Sequence, residues 1–167
     1  MPVSLAAVAF QDLWKIETEP LAAMRISSNG NCIALLTKSG VLQVLNPDGS
    51  SRFSATLGTE VRDISLAETG DTLAITDKGF LLLIDALGQT LWKKRPVPAL
   101  LARISASGER LVLVTRQPTL VSCDRQGSIQ WVYRNLHKTP TLLELAHNAE
   151  TVVFDCRDER ETGFTAL

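Results

Sequence analysis

Gly79-Phe80-Leu81-Leu82-Leu83-Ile84-Asp85-Ala86-Leu87-Gly88-Gln89-Thr90-Leu91-Trp92-Lys93 reads as a β-hairpin: a short apolar run, a turn carrying Asp and Gly, and a tryptophan four residues after the glycine. Asx side chains bond their own backbone in such turns, and glycine accepts the positive φ that they demand. The pattern recurs at Asn46-Pro47-Asp48-Gly49 before Phe53 and at Asp124-Arg125-Gln126-Gly127 before Trp131. Working outward, the aromatics Trp14, Phe53, Trp92 and Trp131 stand at a constant step of 39 residues. A fixed period of this length marks a chain built from structural repeats. Trp14 lacks the turn signal, because Phe10 stands at the glycine position.

Other residues fall into register around the aromatics. The apolar runs Val41–Leu45, Phe80–Ile84 and Thr119–Cys123 precede the turns, and Ile33–Leu36, Leu73–Ile75 and Leu111–Val114 precede those runs. Ahead of these stand Ile26-Ser27, Ile64-Ser65 and Ile104-Ser105, each followed closely by a glycine at 30, 70 or 108. Short β-rich runs broken every ~8–12 residues by Gly and Asx predict an all-β hairpin array. Each unit holds four strands, a to d, with Ile-Ser on a, apolar runs on b and c, and the aromatic on d. A four-stranded unit of ~40 residues is one blade of a β-propeller. The runs on b and c suit strands buried on both faces. The aromatics Trp14, Phe53, Trp92 and Trp131 are expected to fill the gap between blades as packing residues, as large buried rings do.

Strand counting predicts four blade equivalents in one domain over 1–167. The units run about 1–18 (strands c and d), 21–57, 59–97, 99–136 and 140–167 (strands a and b plus a tail). Residues 2–7 align with strand c, so the two ends complement each other and would close a ring through one composite blade, leaving no sheet edge exposed. Thr162-Gly163-Phe164-Thr165 resembles the start of one further c strand, which leaves open a spare tail or a longer array.

The unit from Val61-Arg62-Asp63-Ile64-Ser65 through Gly70-Asp71, Gly79-Phe80-Leu81, Asp85 and Gly88-Gln89 to Leu91-Trp92-Lys93 resembles the repeats of quinoprotein-type and WD-repeat-like propellers. The resemblance covers nearly the whole chain. It departs from the WD repeat in having no Gly-His…Trp-Asp signature, and its Trp sits on the outer strand, as in quinoprotein repeats. Relatives of this kind usually have six to eight blades, so an eight-bladed ring of two chains competes with a monomeric ring. A quinone cofactor is not expected, because neither a metal-linked acidic pair nor a vicinal cysteine pair is visible.

The 167 residues are 45% hydrophobic and 21% charged, as in ordinary globular domains, and the formal net charge is -1. That balance gives no global field for nucleic acid or an anionic membrane. No apolar run approaches a membrane helix, and residues 3–10 have no basic flank to make them a signal peptide. Cys32, Cys123 and Cys156 form no C-x-x-C pair and are odd in number, which points to a reducing cytoplasm.

No cofactor, metal or catalytic residue is expected. Asp48, Asp85 and Asp124 each stand just before a turn glycine, a capping role, and the two histidines, His137 and His147, show no motif that pairs them with a nucleophile. Basic residues recur instead. Lys38, Lys78, Arg116 and Arg157 stand in successive b–c turns, and Arg25, Arg62 and Arg103 lead into strand a, where the fourth unit has Glu144. On one rim of a propeller, Arg25, Lys38, Arg62, Lys78, Arg103 and Arg116 would draw an acidic protein or peptide. The functional expectation is a non-enzymatic scaffold, monomer or homodimer, that binds such a partner on that rim. The alternatives are a small-ligand or sugar site in the axial opening, or one piece of a larger propeller.

Overall fold

The computed structural model describes residues 14–134, 136, 138–147 and 150–155, and the backbone of 164–166. Residues 2–7, His137, Cys156 and Arg157 lie outside the described residues. The described strands form four antiparallel sheets, each a meander in chain order. The first is β1 (Leu21–Ile26), β2 (Ile33–Thr37), β3 (Val41–Leu45) and β4 (Ser51–Thr56). The second is β5 (Val61–Leu66), β6 (Thr72–Thr76), β7 (Leu81–Ile84) and β8 (Thr90–Lys94). The third is β9 (Ala99–Ile104), β10 (Arg110–Thr115), β11 (Leu120–Asp124) and β12 (Ile129–Tyr133). The fourth has β13 (Leu143–Leu145), β14 (Val152–Asp155) and β15 (Phe164–Ala166). These are propeller blades, with strands a to d in sequence order. In the fourth sheet the place beside β14 is held by β15, so the stretch expected as a tail supplies the third strand there.

The sheets pack in a row through their first strands, β1 beside β5, β5 beside β9 and β9 beside β13. Alternation along each strand divides its side chains between two seams. In the second sheet Ala74, Leu82 and Ile84 face the first sheet, while Leu73, Ile75, Leu81 and Leu83 face the third. All of β6 and β7 is buried, whereas β8 is almost wholly exposed. A middle strand that is apolar on both sides can bury itself only between two neighbouring sheets, which is why the runs on strands b and c do not alternate. Each fully buried Leu or Ile is worth about 1.5–3 kcal/mol, so the three seams hold the stability of the fold.

The repeated aromatics lock one blade to the next. Trp14 Nε1 donates to the Pro47 carbonyl at 2.7 Å, and Trp92 Nε1 donates to the Arg125 carbonyl at 2.9 Å. Phe53 has no N–H to donate and sits flat against Gly88 instead. A Cβ there would lie 2.7 Å from the Phe53 ring. Gly88 has a φ of 84°, which also favours glycine. Trp131, the last of the series, is 36% exposed and has no such contact among the described residues.

The Ile-Ser pairs have a definable role. Ser27 Oγ accepts from the Cys32 N–H at 2.9 Å and Ser105 Oγ from the Arg110 N–H at 3.0 Å, each closing its own a–b turn. Ser65 Oγ accepts from the Ile104 N–H at 3.1 Å and so bonds across to the next blade. Cys32 and Cys123 are buried free thiols in successive seams. Burial, with Asp124 nearby, pushes the Cys123 thiol up to about 11.

Two outcomes are expected. Gly88→Ala combines positive-φ strain with a clash on Phe53 and should cost about 2–3 kcal/mol in urea unfolding. Gly127→Ala should cost less, because its nearest ring atom is 3.8 Å away. With its folded value above the ordinary 9.0 of a cysteine, Cys123 stays protonated to higher pH in the native state than in the unfolded one. The melting temperature should therefore fall as pH rises through about 9 to 11, and Cys123→Ala should flatten that slope.

Candidate functional site

The six basic residues expected on one rim fall into separate groups. Arg25 lies in β1, directly before Ile26, and its counterparts before Ile64, Ile104 and Leu145 are Asp63, Arg103 and Glu144. The four inner strands thus carry charges in the order plus, minus, plus, minus. Each reaches the next: Arg25 Nη2 lies 2.5 Å from Asp63 Oδ1, Arg103 Nη1 3.2 Å from Asp63 Oδ2, and Arg103 Nε 3.5 Å from Glu144 Oε1. One carboxylate therefore holds two guanidiniums, and Arg25 and Arg103 are ion-paired within the chain, with Arg103 largely buried and Arg25 partly exposed. Arg62 is not part of this chain. The β5–β6 register shifts between Val61 and Asp63, which turns Arg62 out of the series, and its guanidinium donates to the Leu100 carbonyl.

Arg25, Arg103 and Glu144 line a cavity of about 160 Å³, together with residues of the a–b turns. Glu68 bridges those turns: Ser28 Oγ donates to its Oε1 at 2.6 Å, and His147 Nδ1 lies 3.1 Å from the same oxygen. Further out, Asp71 accepts from the Arg125 guanidinium, and this pairing raises the Arg125 pKa above its ordinary value.

Lys78 and Arg116 come together elsewhere, on the seam between the second and third sheets. With Arg95 they line a cavity of about 370 Å³ that also holds Phe80, Pro98 and the carboxylate of Asp77. Arg95 lies 5.6 Å from the centre of the Phe80 ring, within cation–π range. Pro98 and Arg116 are shared with an adjoining groove of about 470 Å³ whose floor includes Val97, Val121, Ile129 and Val132, with Arg134 at its edge. None of Lys78, Arg95, Arg116 and Arg134 is ion-paired with a carboxylate among the described residues. Lys38 is exposed on the corresponding turn of the first sheet, away from both cavities.

Asp63, Arg95 and Arg134 were not singled out by sequence reading. Counting back one residue from each Ile-Ser or Leu-Ala pair would have found Asp63. Arg95 and Arg134 stand 39 residues apart, each three after its unit's tryptophan, a signal shared by these two units only, since Glu17 and Thr56 hold the position in the others. Among the described residues no three His, Cys, Asp or Glu side chains are grouped to hold a metal ion, and no helix is long and apolar enough to cross a membrane.

The chain matches no protein-family model and no curated protein sequence. Its fold is similar to solved structures. Over 81% of this chain and 40% of the other it resembles the C-terminal WD40 domain of Sif2, with a TM-score of 0.67 and 11% identity. Over 99% of this chain and 49% of the other it resembles Kuenenia stuttgartiensis hydrazine synthase, with a TM-score of 0.69 and 10% identity. The fold is thus that of a WD-repeat-like β-propeller, and the chain spans less than half the length of each of these two matched chains.

Asp63→Asn keeps the shape of the axial hub but removes its charge, leaving Arg25 and Arg103 side by side without their shared acid. A loss of about 1–3 kcal/mol is expected in urea unfolding. Arg25→Met in the Asp63→Asn background should cost less than it does alone, a coupling that a double-mutant cycle reads directly.

Proposed function

We propose that the chain is a propeller-type scaffold that holds an acidic, extended peptide segment of a partner protein along the seam between its second and third blades. The observation that carries this reading is the convergence of Lys78, Arg95 and Arg116 on one cavity of about 370 Å³, with Asp77 the one acidic residue in its lining. Unpaired cations around a concavity favour carboxylate or phosphate groups, and arginine does so with a fork that fits them bidentately. The adjoining apolar groove gives an acidic segment somewhere to set an aliphatic or aromatic side chain. Peptide sites combine such an anchor with polar contacts at the rim.

The axial opening supports a sugar or small-ligand site less well. Its cavity of about 160 Å³ is below the ~300–1,000 Å³ usual for ligand pockets, and its arginines are already engaged. Neither solved neighbour chooses a function, since one propeller fold serves many. A cytoplasmic setting suits the two buried free thiols.

Screening fluorescent peptides of varied charge by anisotropy tests the reading. Glu- and Asp-rich peptides with one large apolar residue should bind, more weakly as salt rises. Lys78→Glu with Arg116→Glu should weaken that binding at least tenfold, about 1.4 kcal/mol, while Lys38→Glu leaves it nearly unchanged. Equal affinity for acidic and basic peptides, or indifference to the seam variants, would refute the proposal.

A further inference from the structure

The seam cavity discriminates among the acids that it could take. Its three cations come from three separate segments: Lys78 from the β6–β7 turn, Arg95 from just after β8 and Arg116 from the β10–β11 turn. All three residues are exposed, and none is paired with a carboxylate among the described residues. Asp77 is the one acidic residue of the lining, so three positive charges against one negative leave the cavity two positive.

The protein's own contacts hold these cations in place. The Thr76 carbonyl accepts from the Gly79 N–H at 2.9 Å and the Thr76 hydroxyl from the Phe80 N–H at 3.1 Å, which closes the turn bearing Asp77 and Lys78. A Cβ on Gly79 would lie 2.8 Å from the Ala99 carbonyl oxygen, so the turn presses on the main chain at the start of β9. The Phe80 ring has Arg95 at 5.6 Å and Lys93 at 5.8 Å from its centre. Lys93 is paired with Glu60, which leaves Arg95 as the ring's unpaired cation. A guanidinium resting on a ring keeps its in-plane N–H groups for an anion.

A carboxylate brings one charge and two oxygens, and along an extended peptide the adjacent side chains turn to the opposite side. One Asp or Glu therefore balances half of the cavity's charge. A phosphomonoester carries about −1.5 to −2 charges at pH 7 and three acceptor oxygens, matching both the charge and the three directions of approach. We infer that the acid this seam takes is a phosphorylated side chain of the partner peptide. An apolar residue of the same peptide lies in the adjoining groove, past Pro98 and Arg116, which line both spaces. This inference rests on the reading of the seam as an acidic-peptide site and narrows it.

The test is fluorescence anisotropy on the full 167-residue chain with short labelled peptides, alike except that the residue two before a leucine is serine, glutamate or phosphoserine. The phosphoserine peptide should bind at least tenfold tighter than the glutamate peptide, and the serine peptide weakest. Between about pH 7.5 and 5.5 its affinity should fall severalfold, as the phosphoryl group passes its second pKa of about 6. The glutamate peptide, ionised throughout, controls for titration of the protein, and no histidine lines the cavity. Arg95→Lys should weaken the phosphoserine peptide about three- to tenfold with circular dichroism unchanged, and Asp77→Asn should tighten it about two- to fivefold. Glutamate binding as tightly as phosphoserine, or indifference to both variants, overturns this inference and leaves the acidic-peptide reading standing. Binding of neither peptide overturns both. Inorganic phosphate competing at the phosphopeptide's own dissociation constant, or capture on phosphatidic acid vesicles without phosphopeptide binding, overturns a peptide as the carrier.

Discussion

A sheet that is apolar on both faces cannot stand alone in water. Strands β6, β7, β10 and β11 are buried almost from end to end, and this leaves the chain one way to satisfy them, which is to stack sheet upon sheet. The other features serve that stacking. The d strands β4 and β8, wet on most of their length, each contribute one ring that reaches the next turn. The a strands gather at the axis, where apolar residues facing the preceding sheet give way to charges facing the following one. Hydrophobic area supplies the energy of each seam, while the aromatic dock and the ion pairs set its register.

The aromatic dock shows how a small residue and a large one are read together. Trp14, Phe53 and Trp92 would need slots of different depth if the opposing turns carried side chains. Glycine at 49 and 88 lets the rings of Trp14 and Phe53 lie where a Cβ would come within 3 Å of them, and the two indoles add a hydrogen bond to a turn carbonyl that the phenyl ring does not. The turn is therefore shaped twice, once by its own positive φ and once by its neighbour's ring.

The architecture was legible in the sequence because it rests on spacing: a constant step between aromatics, glycine four residues before three of them, and paired apolar runs. The axial chain was half legible. Arg25 and Arg103 were seen as basic, but Asp63 was passed over in favour of its neighbour Arg62. A strand turns successive side chains to opposite sides, and a bulge at this point adds an extra residue, so an error of one position reverses both the direction and the sign of the group. The seam site was legible only in Lys78 and Arg116. Arg95 joins them because the chain leaves β8 and passes Pro96 and Pro98 on its way to β9, and only Arg134, one repeat later, marks the position in the sequence. The same reasoning grouped Lys38 with them, although it stands on another seam.

The reach of the contacts bears on how the chain comes together. The rings of Trp14, Phe53 and Trp92 each meet a turn about 33–35 residues further on, and every described core seam joins sheets that are neighbours in sequence. No described strand must wait for a distant segment before it can pair, so order can begin in any two adjacent blades and spread outward like a zipper. Protection against hydrogen exchange should then be deepest in the middle sheets and thin toward both ends, giving a single chain a gradient of local stability. The seam that carries the unpaired arginines lies between the second and third sheets, at the deep end of that gradient, where the surface offered to a partner moves least.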